Sequence, residues 1–160
     1  IYYKGSLLLH TLRNLVGDEA FFAATRQLVY GRGDPAPGNF EPRYAGTRDF
    51  IDAVNAGTGE DYGWLFDVYL YSAKLPELVV ERDAAGLSLR WKTEGDKPFP
   101  MPLEVRVDGR DVAVPMTRGH GRIELPAHAV YTVDPHSKVL RAQPHIAAWQ
   151  TWSAERKKPE

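Results

Sequence analysis

Ile1-Tyr2-Tyr3-Lys4-Gly5-Ser6-Leu7-Leu8-Leu9-His10-Thr11-Leu12-Arg13-Asn14-Leu15-Val16 opens the chain, and the spacing of its leucines predicts a helix. Leu8, Leu12, Leu15 and Val16 recur at intervals of three and four, which puts them on one face of an α-helix. Leu7 and Leu9 widen that face, so the helix is expected to pack on more than one side. Gly17 is a helix stop, and Asp18 with Glu19 supplies the acidic first turn of a second helix. That helix should run to about Val29 on Ala20, Phe21, Phe22, Ala24 and Leu28. Gly31, Gly33, Pro35, Pro37 and Pro42 then forbid regular structure as far as Gly46. A loop of that length is often functional or mobile. The Arg32-Gly33-Asp34 tripeptide inside it matches a cell-adhesion motif, but three residues are too few to carry a function. Thr47 is expected to cap a third helix with Phe50, Ile51 and Val54 on its buried face. Asp61 is expected to open a fourth, in which Trp64, Leu65, Phe66, Val68, Tyr69 and Leu70 are nearly continuous.

From Pro76 the period changes to two. Leu78 and Val80, then Leu87, Leu89 and Trp91, then Leu103, Val105 and Val107 alternate with polar neighbours. Val112, Val114 and Met116 follow, then Ile123 with Leu125, then Val130 or Tyr131 with Val133. Six short strands of this kind predict antiparallel sheets. Asp83-Ala84-Ala85-Gly86 and Asp108-Gly109 read as hairpin turns, the second of type I′. Two facing sheets would bury the apolar rows, so the expected fold class is α+β: helices, then a small immunoglobulin-like β-sandwich. The alternate prolines of Lys97–Pro102 suit an edge or a covered crossover. Ile146, Trp149 and Trp152 predict a last short helix against the body. The expected division is 1–75 helical, 76–142 sandwich, and 143–160 helix with polar tail.

The totals narrow the function. With 160 residues, 20 basic against 21 acidic side chains and a net charge of −1, nothing favours nucleic acid or an anionic membrane. Arg156-Lys157-Lys158 reads as a solvated tail. There is no cysteine, so disulfides and thiolate zinc sites are excluded. No apolar run approaches the ~20 residues that span a bilayer. No signal peptide is visible, and the chain begins in mid-pattern on Ile1, as the back part of a longer protein would.

Tyr2-Tyr3-Lys4-Gly5, with Leu9-His10-Thr11-Leu12-Arg13 and Gly17-Asp18-Glu19-Ala20-Phe21-Phe22 behind it, resembles the zinc-dependent aminopeptidases related to membrane alanyl aminopeptidase and leukotriene hydrolase. Thr58-Gly59-Glu60-Asp61-Tyr62-Gly63-Trp64-Leu65-Phe66 and Leu75-Pro76-Glu77-Leu78 extend the resemblance, which in weaker form reaches about Leu140. It implies the end of a thermolysin-like catalytic domain followed by a β-sandwich, with the preceding domains lying outside this sequence. The implied activity is removal of N-terminal residues from peptides, with zinc as the cofactor. Bacterial relatives with a short β domain are often exported, which points to the periplasm or secretion.

Tyr2 is the candidate catalytic residue. A phenol keeps its proton at neutral pH and can donate a hydrogen bond. Aimed at a carbonyl oxygen that becomes an oxyanion, it stabilises the tetrahedral state over the ground state. The resemblance assigns that role to the tyrosine of Tyr-x-Lys-Gly, here Tyr2 rather than Tyr3. The zinc ligands are absent. His-Glu-x-x-His does not occur, and His10, His120, His128, His136 and His145 show no ligand spacing. His10 is expected to be a packed helix histidine and His120 a turn residue. The Gly-x-Met-Glu-Asn strand that binds the substrate amine in the family is also missing. No metal ligands are therefore assigned in this chain, and by itself it should be inactive. Asp49, Asp52, Glu60 and Asp61 read as caps and solvated residues rather than paired catalytic carboxylates. The alternative is a non-catalytic interaction module whose β-sandwich binds a partner or glycan through exposed Trp and Tyr.

Overall fold

The computed structural model describes residues 2–156. Helices α1 (Tyr2–Val16), α2 (Asp18–Tyr30), α3 (Thr47–Thr58) and α4 (Gly63–Tyr69) come first. Strands β1 (Glu77–Arg82), β2 (Gly86–Lys92), β3 (Leu103–Val107), β4 (Arg110–Val114), β5 (His120–Glu124) and β6 (Tyr131–Val133) follow, and α5 (Pro144–Arg156) closes the order. The architecture is α+β, in two compact units, Ile1–Tyr71 and Ser72–Glu160.

In the first unit, Gly17 separates α1 from α2. Its φ of 84° lies in the left-handed region, where a Cβ would be strained. Its N–H donates to the Arg13 carbonyl at 2.9 Å, and its own carbonyl accepts from Phe21 N–H at 3.1 Å. Arg13 spans the break with two hydrogen bonds to the Asp18 carboxylate, at 2.8 and 2.9 Å. Leu8, Thr11 and Leu12 are buried on α1, whereas Leu7 and Leu9 stay 47% and 41% exposed. The broad packing expected of α1 is therefore not made within this unit. Leu7 and Leu9 each stand about 100° around the helix from Leu8, beyond the stripe that is covered. His10 is likewise exposed rather than packed, with Asn14 Nδ2 at 2.8 Å from its carbonyl.

The residues between α2 and α3 are tied by their own side chains. Arg32 holds the Asp34 carboxylate through Nε at 2.8 Å and donates from Nη1 to the Asn39 carbonyl at 2.5 Å. Asn39 donates to the Asp34 carbonyl at 2.9 Å, and its Oδ1 accepts from Ala36 N–H at 2.7 Å. The Arg-Gly-Asp charges are thus spent on each other. Gly46, not Thr47, is the N-cap of α3: Asp49 Oδ2 accepts from Gly46 N–H at 2.7 Å, and Thr47 lies in the first turn. A carboxylate three residues inside the helix can reach back to that amide, so no hydroxyl is needed. Asp61 acts just ahead of α4, accepting from Gly63 N–H at 2.8 Å. Leu65, Phe66, Val68 and Tyr69 of α4 are buried, and Phe66 meets the Phe50 ring of α3 edge-on.

The second unit holds two three-stranded antiparallel sheets, ordered β1-β2-β5 and β4-β3-β6. Two turns set the hairpins. Asp83 Oδ1 accepts from the amides of Ala85 and Gly86 at 2.8 Å. Asp108 and Gly109 have φ of 47° and 84°, both positive as a type I′ turn requires. Leu87, Leu89 and Trp91 of β2, Leu103 and Val105 of β3 and Val114 of β4 are buried along with Met116 and Leu125. Each fully buried aliphatic or aromatic side chain contributes roughly 1.5–3 kcal/mol. Lys97–Pro102 is a covered crossover, since its Phe99 and Met101 are 1% and 3% exposed. After β6, Asp134 is buried, and its carboxylate accepts from the amides of Lys138 and Val139 at 2.8 and 3.3 Å.

Helix α5 forms, but it has no buried residue. Ile146, Trp149 and Trp152 are 47%, 62% and 50% exposed, and the Arg156 guanidinium lies over the Trp152 ring. The expectation that this helix lies against the body is corrected. Lys157 and Lys158 of the expected polar tail lie outside the described residues.

Candidate functional site

Tyr2 stands in the first turn of α1 and is 91% exposed; Tyr3 is 85% exposed. The turn is accessible because a Cβ built on Gly5 meets nothing within 4 Å. No described backbone exploits the space that Gly5 leaves. Tyr2, Gly5 and Leu9 follow one another at helical spacing on one side of α1. Gly5 and Leu9 also line an open apolar hollow of about 320 Å³ with Leu8, Phe50, Phe66 and Leu70. The Tyr2 phenol is thus exposed, and the surface one turn along is apolar.

The histidines are dispersed: His120 is the first residue of β5, His128 lies in a loop, His145 lies in α5, and all three are exposed. His136 alone joins other possible ligands. Its Nε2 lies 2.8 Å from Asp111 Oδ2, and among the described residues Glu104, Asp111 and His136 form the one such group with ligand atoms within 4.8 Å of one another. Sequence spacing could not show this group, because it assembles from β3, β4 and the turn after β6.

The charges around that group argue against a cation. Arg106 donates to both Asp111 oxygens, at 2.7 and 3.0 Å, and its Nη2 also lies 3.1 Å from His136 Nε2. Lys138 Nζ holds Glu104 Oε1 at 2.5 Å. Each carboxylate already has a basic partner, so a divalent ion would enter between two positive charges and lose to them. The Arg106 guanidinium, and then His136, hold the Asp111 carboxyl well below the usual carboxylate range. The arrangement is a charge clasp between the β3–β4 hairpin and the turn that follows β6. The residues present do not fit a zinc site.

Three of the four acidic residues weighed in the helical unit have structural partners, and the fourth, Glu60, is exposed. Asp49 accepts from Gly46 N–H, Asp52 pairs with Arg48 at 3.1 Å, and Asp61 accepts from Gly63 N–H and from Asn55 Nδ2.

No family model matches the chain, and no curated protein matches it. A solved structure does. The chain is similar to the crystal structure of Legionella pneumophila aminopeptidase A in complex with aspartic acid, with a TM-score of 0.57 and 15% identity. The likeness is one of fold. It covers 82% of this chain and 16% of that one, so the chain spans about a sixth of that neighbour's length.

Proposed function

We propose that this chain is part of a zinc-dependent aminopeptidase, in which the Tyr2 hydroxyl donates a hydrogen bond to the oxyanion formed at the scissile carbonyl. The observation that carries the reading is the fold likeness to an aminopeptidase over 82% of the chain. The 91% exposure of Tyr2 in the first turn of α1 supports it, because a donor sealed among packed side chains could not reach a substrate. The hydroxyl stays protonated while the carbonyl oxygen gains charge, so its hydrogen bond strengthens in the transition state. The metal ligands, on this reading, lie outside the sequence, and the substrates are peptides with a free N-terminus.

The two sheets are read as the halves of an immunoglobulin-like sandwich. The strand order supports this: β5 returns to β2 while β6 returns to β3, so the hairpins interlock between sheets. The interaction-module alternative gains little from the sheets. Trp91 is buried, and Tyr131, at 37%, is the exposed strand aromatic.

The test is hydrolysis of alanyl- and leucyl-p-nitroanilide by the whole protein that contains this chain, with and without Tyr2→Phe. The variant should lose about 10²–10³ in kcat with KM little changed. Isolated 1–160 should show no turnover. A whole protein that is zinc-loaded and inactive, or a Tyr2→Phe variant as active as the parent, would overturn the proposal.

A further inference from the structure

The outward face of the β1-β2-β5 sheet carries a hollow of about 530 Å³ whose lining includes Val79 and Glu81 of β1, Ser88 and Arg90 of β2, and His120 and Arg122 of β5. Its shape follows from the register. Ser88, a short side chain, sits opposite both Glu81 and Arg122, while Arg90 sits opposite Val79 and His120. Long side chains therefore surround a low centre. Arg122 is already committed, donating to Ser88 Oγ at 2.7 Å and pairing with the Asp83 carboxylate. Arg90 and His120 are not: neither side chain makes a hydrogen bond or ion pair with another described residue. The row Val79–Arg90–His120 contains no carboxylate, and Glu81 stands one row away on the edge strand. The Arg90 guanidinium and the His120 ring thus face each other across the strand pair as hydrogen-bond donors with no acceptor between them. An anion there would accept from both.

We propose that this hollow binds a phosphate or sulfate group, free or carried as a monoester on a small polar molecule, with Arg90 as the main donor and His120 as the second. Arg90 presents a planar fork of N–H donors that matches two oxygens of such an anion. His120 supplies a ring N–H from the facing strand, and Ser88 is short, with the Arg122 guanidinium resting on its hydroxyl. The space exceeds that of a bare anion, so a sugar-sized remainder fits. A nucleobase is disfavoured, because no Phe, Tyr or Trp lines the hollow for stacking. The site does not depend on the aminopeptidase reading.

The experiment is a titration of isotopically labelled 1–160 at constant ionic strength, followed through its amide resonances. Sodium phosphate and glucose 6-phosphate are the two ligand arms, with chloride and glucose as controls. Saturable shifts centred on Ser88, Arg90 and His120 in either ligand arm, absent in both controls, are expected, and the arms distinguish a free anion from a monoester. Arg90→Gln should weaken binding about tenfold or more, His120→Gln should weaken it less, and Arg110→Gln on the other sheet should leave it unchanged. Thermal unfolding of each variant verifies that the fold is kept. No saturation by either ligand, shifts centred elsewhere, or equal binding by folded Arg90→Gln would overturn the proposal.

Discussion

The Trp91 indole donates from Nε1 to the Met101 carbonyl at 2.8 Å, tying β2 to the crossover that leads into β3. The same ring meets Phe99 edge-on at 5.2 Å. One side chain thus fills the core and satisfies a buried backbone acceptor. Trp91→Phe keeps much of the apolar volume and removes the donor, so it should cost about 1–3 kcal/mol. Trp91→Ala should cost about 3–5 kcal/mol, because a cavity is added to the loss. Urea unfolding of 1–160 followed by far-UV circular dichroism measures both, and a Trp91→Phe variant as stable as the parent would contradict the role of the hydrogen bond.

Gly86 and Gly121 are required for a different reason from Gly17. A Cβ on Gly86 would stand 2.1 Å from the Ile123 carbonyl oxygen, and one on Gly121 would stand 2.4 Å from Met116 Sδ and 2.9 Å from Val114 Cγ1. The backbone neighbour of Gly86 can move only by parting β2 from β5, whereas at Gly121 the tightest neighbour is the flexible Met116 thioether, with Val114 Cγ1 and the Pro115 carbonyl oxygen at 2.9 and 3.0 Å needing smaller shifts. Gly86→Ala should therefore destabilise more than Gly121→Ala, with overpacking typically costing about 1–3 kcal/mol. Gly17→Ala meets nothing within 4 Å, and its left-handed φ alone should cost about 1–2 kcal/mol. Thermal unfolding of the three variants tests the order within the sheet and the size of the backbone effect.

The Asp111 clasp predicts a pH dependence. Hydrogen bonds from Arg106, and secondarily from His136, depress the folded-state pKa of Asp111. A depressed carboxyl contributes stability above its unfolded value near ~3.9 and loses it as pH falls toward the lower folded value. The urea midpoint should therefore fall between about pH 4.5 and pH 2, and the fall should be shallower in Asp111→Asn. Asp83, lowered by the Ala85 amide and Arg122, leaves part of the slope in place. A slope identical in parent and variant would remove the clasp from the account.

The same clasp predicts indifference to metal. With Arg106 and Lys138 already holding the two carboxylates, equimolar zinc should leave the melting temperature of 1–160 unchanged, as should a chelator. A ligand that binds the folded state 100-fold above its dissociation constant adds about 2.7 kcal/mol, so real binding would be visible as a shift of several degrees.

Local pattern was enough for the helices and strands. Leucine spacing announced α1, Gly17 its end, and alternation the rows that β2 and β3 bury, because periods of 3.6 and 2 are properties of neighbouring residues. The Asp108-Gly109 turn was legible for the same reason. Burial away from those rows was not. Leu7, Leu9, His10 and the α5 tryptophans have compositions that suit packing, yet all are exposed, since exposure depends on what other segments cover.

What the sequence determined alone was the order of elements and the lack of a His-Glu-x-x-His motif within these 160 residues. Only the tertiary structure decided that Glu104, Asp111 and His136 meet as a neutralised clasp, and that Arg90 faces His120 with no carboxylate in its row. Both depend on segments far apart in sequence: Arg90 meets His120 30 positions on through the β2–β5 register, and Asp111 meets His136 25 positions on, so the shared core and not any local stretch brings them together.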